Sequence, residues 1–221
     1  GLWSACISSQ VGCAMGCRFC ATGKMGFIRN LTAEEITDQV LFWVQYLRAN
    51  KLKATSYKLD NIVYMGMGEP FLNWEEVRQS LKDLIDPELF GFGSRSISVS
   101  TCGIGEGISN FSNEFPQVNL AISLHFTSDK NRSNFMPVNN KYDLKELKKS
   151  LQKYFENSNR KVFIEYILLE GINDGQRDAL SLATYLKSIG KNHLLHVNLI
   201  RYNITSENLK PSSEIATQKF K

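Results

Sequence analysis

Segments typical of β-strands alternate with segments typical of helices along the 221-residue chain, and this alternation constrains the fold more than any other feature. Apolar, strand-like segments lie at residues 2–9, 61–64, 96–100, 118–124, 162–169 and 194–200. Helical spacing of apolar residues indicates helices at 33–49, 73–85, shortly after 107, from 144 onward and at 176–189. The pattern predicts an α/β fold, a partial (βα)6 barrel of the TIM type, because strands that alternate with helices form right-handed parallel units. Functional residues of such a fold lie at the carboxyl ends of its strands.

Two of these helices begin with a sequence that is typical of a capping box. Thr32 lies three residues before Glu35, and Asn73 lies three residues before Glu76. We therefore expect both helices to begin with reciprocal bonds between the capping side chain and the glutamate.

The composition is that of an ordinary globular chain, with 43% hydrophobic and 22% charged residues. No apolar run approaches the roughly 18 residues of a membrane span, and no charged-then-apolar leader opens the sequence. We therefore expect a cytoplasmic protein without a membrane partner, in a compartment that keeps cysteines reduced. The net charge of +4 slightly favours a nucleic-acid partner. Because the first residue is glycine rather than methionine, we expect a piece of a longer protein.

Three cysteines lie close together after the first predicted strand, at Cys13, Cys17 and Cys20. Thiolates that lie close together on one loop can converge on an iron–sulfur cluster. Three thiolates on a four-iron cluster would leave one iron open to a substrate or cofactor. The alternative is a structural zinc site, which normally needs four protein ligands, and no histidine lies near the triplet. A disulfide suits a secreted protein better than this one.

Glycine, acidic and small polar residues follow several predicted strands, at the edge where a ligand would bind. They are Gly68 and Glu69 after the second strand, Ser100 in the third, Ser123 and His125 in the fourth, and Asn203 after the sixth. Each alone is explained by a turn or a strand end, but together they predict a ligand site. Glu69 is suited to accept hydrogen bonds from a ligand amine. The G-x-G-x-G run at 103–107 lacks the full dinucleotide fingerprint.

Longer motifs resemble one family over nearly the whole chain. The spacing C-x-x-x-C-x-x-C is similar to the signature of radical S-adenosylmethionine (SAM) enzymes. The matching segments are Cys6–Cys13, Arg29–Thr32, Met65–Pro70, Ser123–His125, Met136–Asn139 and His196–Asn203. Together they resemble the RlmN/Cfr family of radical SAM methyltransferases, which act on an adenosine of 23S ribosomal RNA.

The resemblance implies a ligand set for two cofactors, a 4Fe–4S cluster and SAM. The implied cluster ligands are Cys13, Cys17 and Cys20. The implied SAM contacts are Gly68, Glu69, Ser100, Ser123, Leu124, His125 and Asn203. The resemblance also implies 23S rRNA as the partner, an electron donor such as flavodoxin or ferredoxin, and a monomer.

The family's reaction uses two cysteines beyond the cluster ligands. One SAM methylates a cysteine in the family's C-terminal region, and a radical made from a second SAM activates that methyl group for addition to the adenine. The resulting thioether crosslink is resolved when another cysteine forms a disulfide. Cys6 matches this resolving position by resemblance, although its own surroundings also suit an ordinary small residue on a strand. The 200–203 segment is more similar to the type that methylates carbon eight, and the 68–70 segment to the type that methylates carbon two; we favour carbon eight.

The family's N-terminal accessory domain and its methyl-carrying C-terminal cysteine have no match in residues 1–221, which we interpret as a radical SAM core domain. Cys102, the remaining cysteine, does not match the methyl carrier. Two alternatives therefore stay open: a remnant that binds the cluster and SAM without transferring methyl groups, or a radical SAM enzyme with another substrate, such as an activase that makes a glycyl radical.

Overall fold

The computed structural model describes residues 2–50, 59–205 and 208–221. The described strands are β1 (Ser4–Cys6), β2 (Gln10–Gly12), β3 (Phe27–Asn30), β4 (Asn61–Tyr64), β5 (Ile97–Thr101), β6 (Asn119–Ser123), β7 (Val162–Leu168) and β8 (Leu195–Arg201). The described helices are α1 (Ala21–Met25), α2 (Ala33–Ala49), α3 (Trp74–Ile85), α4 (Gly105–Glu114), α5 (Asp129–Phe135), α6 (Leu144–Asn157), α7 (Gln176–Ile189) and α8 (Glu214–Phe220).

Six strands form one parallel sheet in the order β1-β4-β5-β6-β7-β8. Every neighbouring pair is parallel, and α2, α3, α4, α6 and α7 lie in the connections between successive strands. The sheet curls into a half-barrel with its helices packed outside. The predicted α/β half-barrel is therefore confirmed.

The first predicted strand is wrong in its extent. The ladder with β4 ends at Cys6, although the Ile7 amide still donates to the Val63 carbonyl at 2.9 Å. Residues 10–12 pair antiparallel with 27–30 in a separate hairpin. Gly12 permits this arrangement because it has φ +76°, and a side chain there would overlap the carbonyl of Gly26. The hairpin closes the loop that carries Cys13, Cys17 and Cys20.

One predicted capping box is confirmed and the other is wrong. Thr32 accepts a hydrogen bond from the Glu35 amide, and the Glu35 side chain accepts one from the Thr32 amide. Asn73 makes no capping bond at α3. Its amide group instead donates to the carbonyls of Ser9 and Leu31, at 2.8 Å each, and so ties both ends of the hairpin to α3.

The two faces of the sheet differ in polarity. Residues such as Ile62, Ile97 and Val99 are fully buried beneath the helices and form the core. The alternate residues of the same strands face the inside of the half-barrel, because successive side chains point to opposite faces. This inner face carries polar side chains, including Ser98, Ser100, Ser123, Glu165 and Asn198.

The glycine run at 103–107 serves helix packing. A side chain at Gly107 would lie about 2.4 Å from the ring of Phe71. Within the described part of the chain, no helix has the length and apolar character to cross a membrane.

Candidate functional site

A cavity of about 270 Å³ opens at the carboxyl ends of the central strands. It is lined by eight of the residues that the sequence predicted for the site: Cys13, Cys17, Cys20, Gly68, Glu69, Ser100, Ser123 and His125. The fold thus brings residues from the cysteine loop and from the ends of β4, β5 and β6 to one place.

The cysteine loop is fixed by backbone hydrogen bonds over the mouth of the half-barrel. The Cys13 amide donates to Gly26 at 2.9 Å, and the Cys20 amide donates to Cys17 at 3.0 Å. The Arg18 amide donates to the carbonyl of Phe135 at the end of α5, at 3.0 Å. These contacts fix the loop whose three half-buried cysteines line the cavity.

The thiols affect one another electrostatically. Burial raises the pKa of Cys17 to about 12, and the neighbouring Cys20 and Cys13 add to the rise. Bound metal stabilises thiolates in such surroundings. The donor set therefore fits an iron–sulfur cluster, in which each thiolate binds a different iron. In residues 2–50, 59–205 and 208–221, no three His, Cys, Asp or Glu side chains converge on a single metal-ion position.

Glu69 is a buried carboxylate, 3% exposed, at the edge of the cavity. It accepts hydrogen bonds from the amides of Cys102, at 2.7 Å, and Phe71, at 3.2 Å. Burial raises its pKa, and the hydrogen bond from Cys102 opposes the rise. Gly68, at φ +101°, brings this turn against Gln10, where any side chain would overlap. A cationic ligand group beside Glu69 would offset the cost of burying its charge.

His125 closes β6 in a left-handed conformation, with φ 56°. Its Nδ1 accepts a hydrogen bond from the Ile167 amide at 3.1 Å, so a neutral ring carries its proton on Nε2. Burial lowers the pKa of His125 to about 3, which keeps the ring neutral. The amide group of Asn173 holds the His125 carbonyl at 2.8 Å, and Phe19 of the cysteine loop meets the ring edge-on. His125 therefore lines the cavity as a neutral ring held in one orientation.

The sequence model of the radical SAM superfamily matches residues 7–183. The chain belongs to this superfamily. Its cofactors are SAM and a 4Fe–4S cluster, so the cofactor prediction is confirmed at the level of the superfamily.

Relatives of this radical SAM chain include two kinds of named RNA methyltransferase, which confirms the resemblance to the RlmN/Cfr family. "Ribosomal RNA large subunit methyltransferase Cfr" of Clostridium botulinum is 46% identical over 222 residues, which cover 100% of this chain and 62% of the relative. "Probable dual-specificity RNA methyltransferase RlmN" of Chloroflexus aurantiacus is 44% identical over 90% of this chain and 54% of the relative. The chain thus spans somewhat more than half the length of these relatives.

Solved structures agree with the fold. A radical SAM methyltransferase from Sphaerobacter thermophilus superposes with a TM-score of 0.91 at 40% identity, over 98% of this chain and 61% of that one. Coproporphyrinogen III oxidase (HemN) from Escherichia coli superposes with a TM-score of 0.54 at 17% identity, over 99% of this chain and 50% of that one. At that identity the second comparison concerns the fold alone.

Three predicted site residues of the radical SAM chain do not line the cavity. Leu124 is fully buried, and its amide donates to the Glu165 carbonyl at 3.1 Å. Asn203 is exposed in the segment that follows β8. Cys6 is exposed at the end of β1, with its thiol beside the backbone of Met65. Their roles in the site remain predictions.

Arg132 supports the site from behind, and sequence reasoning missed it. Its side chain is 0% exposed and donates to the carbonyls of Cys102, at 2.6 Å, and Leu124, at 3.3 Å. The backbone of Cys102 therefore joins a buried guanidinium, bound to its carbonyl, to the carboxylate of Glu69, bound to its amide. A basic residue in a polar helix gives no sequence signal of such burial.

Glu165 also lines the cavity, although no role was predicted for it from the sequence. A charged residue within a strand that is otherwise apolar was the available signal.

A larger cleft of about 330 Å³ lies between β8 and α8. Its lining contains no cysteine and none of the predicted site residues. A cleft of about 520 Å³ beside Ile85 and Phe115 is larger still, so we locate the site by its chemistry rather than by size.

Proposed function

We propose that the chain is the cofactor-binding core of a radical SAM methyltransferase that modifies an adenosine of 23S rRNA. One observation carries the proposal: the three cysteines with the superfamily's spacing line a single cavity together with Glu69 and His125. The Cfr-named relatives, which match over the full chain, support ribosomal RNA as the substrate.

In this proposal Cys13, Cys17 and Cys20 hold the cluster, and the turn at Gly68 and Glu69 receives the amino group of SAM. When bound, the cluster and SAM supply one-electron cleavage chemistry that generates a carbon radical. The residues of the chain bind, orient and shield the reactants. The buried carboxylate of Glu69 attracts an ammonium group, and the neutral ring of His125 forms part of the cavity wall. The cysteine loop, tied to α5 through Arg18, limits the access of water.

Carbon eight of the adenine is the proposed target rather than carbon two. In support, the Clostridium botulinum relative named Cfr is 46% identical, against 44% for the Chloroflexus aurantiacus relative named RlmN, and it matches a larger share of the chain. Cys6 is the proposed resolving cysteine. Its exposure at the end of β1 leaves the thiol accessible to another sulfur.

The proposal includes a cytoplasmic monomer that receives electrons from a flavodoxin or a ferredoxin. The proposed substrate supports a cytoplasmic location, because ribosomal RNA lies in the cytoplasm. Light scattering of the purified chain measures its mass, and replacement of dithionite by reduced flavodoxin or ferredoxin measures electron transfer.

A chimaeric protein tests the methyl transfer. Residues 1–221 replace the matching part of the Clostridium botulinum Cfr relative, and 23S rRNA from expressing cells is digested and analysed by mass spectrometry. We expect 8-methyladenosine, and a chimaera with Cys17→Ala should yield none. Formation of 2-methyladenosine would overturn the choice of carbon. Unmethylated rRNA from a chimaera that retains its cluster and produces 5′-deoxyadenosine would overturn methyl transfer to rRNA and favour the remnant or another substrate.

A further inference from the structure

Glu165 is a charged residue that the proposed roles leave without a function. It lies on β7, is 8% exposed and lines the same cavity as the cysteines. Its Oε1 accepts a hydrogen bond from the amide group of Asn198 on β8 at 2.9 Å. No hydrogen bond to Oε2 comes from the residues that the structure describes. The carboxylate is therefore held by one oxygen and presents the other to the cavity.

Strand register places Glu165 in a row of inward-facing residues. Ser123 of β6, Glu165 of β7 and Asn198 of β8 are direct neighbours in the parallel ladder. Ser100 of β5 and Ile200 of β8 also line the cavity. Four consecutive strands thus each contribute an inward-facing residue to its wall, and among these residues Glu165 supplies the charge.

The position of Glu165 along the sheet identifies the part of a ligand that it would meet. Glu69 follows β4, and three strand spacings separate β4 from β7, or about 14 Å across the sheet. SAM carries its amino acid on one side of the sulfonium and its ribose on the other. If the amino acid end lies near Glu69, the nucleoside extends past Ser100 and Ser123 toward β7.

We propose that Glu165 is a further SAM-binding residue, which accepts hydrogen bonds from the ribose hydroxyl groups through Oε2. A carboxylate is the group that dinucleotide-binding folds use for a ribose hydroxyl, because it only accepts and the hydroxyl donates. Asn198 acts as a positioning residue that fixes the carboxylate. This assignment rests on the proposed function, since it requires SAM in the cavity.

Burial of Glu165 is consistent with this role. Burial raises the pKa of its carboxyl group, while Asn198 and the more distant charge of His196 oppose the rise. His196 and Phe163 are the neighbouring side chains on the inner face below it, and their rings are 5.8 Å apart. Hydroxyl donors would stabilise the ionised form without a buried counter-charge.

The test is a thermodynamic cycle that removes the Glu165 carboxylate from the protein and the ribose hydroxyl groups from the ligand, singly and together. Reconstituted protein is titrated calorimetrically with SAM, with the neutral product S-adenosylhomocysteine, and with the 2′-deoxy and 3′-deoxy forms of the latter. The variants are Glu165→Gln and Glu165→Asp, with Glu170→Gln as the matched control because Glu170 is exposed just beyond β7. Iron content and thermal unfolding are measured for each, so that a cluster or folding defect is recognised.

We expect Glu165→Gln to weaken the binding of SAM and of S-adenosylhomocysteine equally, by about 10- to 100-fold, which is the range for hydrogen bonds to a charged acceptor. At least one deoxy form should bind wild type and Glu165→Gln with similar affinity. Glu165→Asp keeps the negative charge on a side chain that is shorter by one methylene group, so it should lose affinity as well. Glu170→Gln should bind both ligands as wild type does.

Three results would overturn the assignment. In the first, Glu165→Gln discriminates against the deoxy forms as strongly as wild type does. In the second, it loses affinity for SAM but not for S-adenosylhomocysteine, which would place the carboxylate beside the sulfonium. In the third, wild-type protein with its cluster intact binds neither ligand, which would overturn the proposed function together with the role of Glu165.

Discussion

Arg132 provides the sharpest test of how the site is held in place. Its guanidinium donates to four acceptors: the carbonyls of Cys102, Leu124 and Tyr142 and the Oδ1 of Asn139. Hydrogen bonds from a charged donor contribute about 1.5–3 kcal/mol each, so four would contribute about 6–12 kcal/mol. Burial of the charge costs several kcal/mol and offsets part of that.

We therefore expect Arg132→Met to lower the free energy of unfolding by about 3–5 kcal/mol, because it leaves buried carbonyls without donors. Arg132→Lys keeps the charge but loses the planar fork of donors, so its free energy of unfolding should be lower by about 1–3 kcal/mol. The assay is urea unfolding of the cluster-free chain in reducing buffer, with Arg177→Met on the exposed face of α7 as control. An Arg132→Met protein within about 0.5 kcal/mol of the control would refute the reasoning, since exposed substitutions change stability by that much.

Three further predictions concern His125, Gly107 and Cys6. Burial in the folded chain lowers the pKa of His125 to about 3, from the ordinary value of 6.5. Because the unfolded chain binds the proton more readily, the free energy of unfolding falls as the pH drops below about 6.5. Asparagine tolerates the left-handed backbone and cannot titrate. Between pH 7 and pH 5, the free energy of unfolding of His125→Asn should therefore fall by roughly 2 kcal/mol less than that of wild type, as measured by urea unfolding. Equal falls would contradict this. Gly107→Ala should destabilise the chain by about 1–2 kcal/mol, because the added methyl group overlaps the Phe71 ring. Gly93→Ala is the control, since a side chain there meets nothing within 4 Å. Equal midpoints of the two variants in thermal denaturation would count against the overlap. Iodoacetamide should label Cys6 faster than the buried Cys102, as followed by peptide mass spectrometry, and faster labelling of Cys102 would show that the cavity is open to reagents.

The sequence predicted the sheet well because its strands carry continuous or alternating apolar residues that only a covered sheet can bury. It did not predict the hairpin of β2 and β3, since all four residues of β3 are exposed and carry no apolar pattern. It misassigned Asn73 because a capping residue and a residue that ties two loops together look the same in sequence. The polar partners of Asn73 are more than 40 residues away.

The candidate site was predictable where a residue type matches its chemistry within a short segment, as with Cys13, Cys17 and Cys20. It was not predictable where the role depends on burial. Arg132 is an ordinary basic residue in a polar segment until the fold surrounds it with carbonyl groups. Glu165 interrupts an otherwise apolar strand, but its role depends on its neighbours across the sheet, which the sequence does not show.

The central claim is that three thiolates hold a cluster with an open iron, and metal analysis with electron paramagnetic resonance tests it most directly. Anaerobically reconstituted protein should contain about four irons and four sulfides per chain, and the signal of the reduced cluster should change when SAM is added. Cys13→Ala, Cys17→Ala and Cys20→Ala should each lose the cluster, whereas Cys6→Ala should keep it. Stoichiometric zinc without visible absorption, or about four irons retained by Cys17→Ala, would contradict the account.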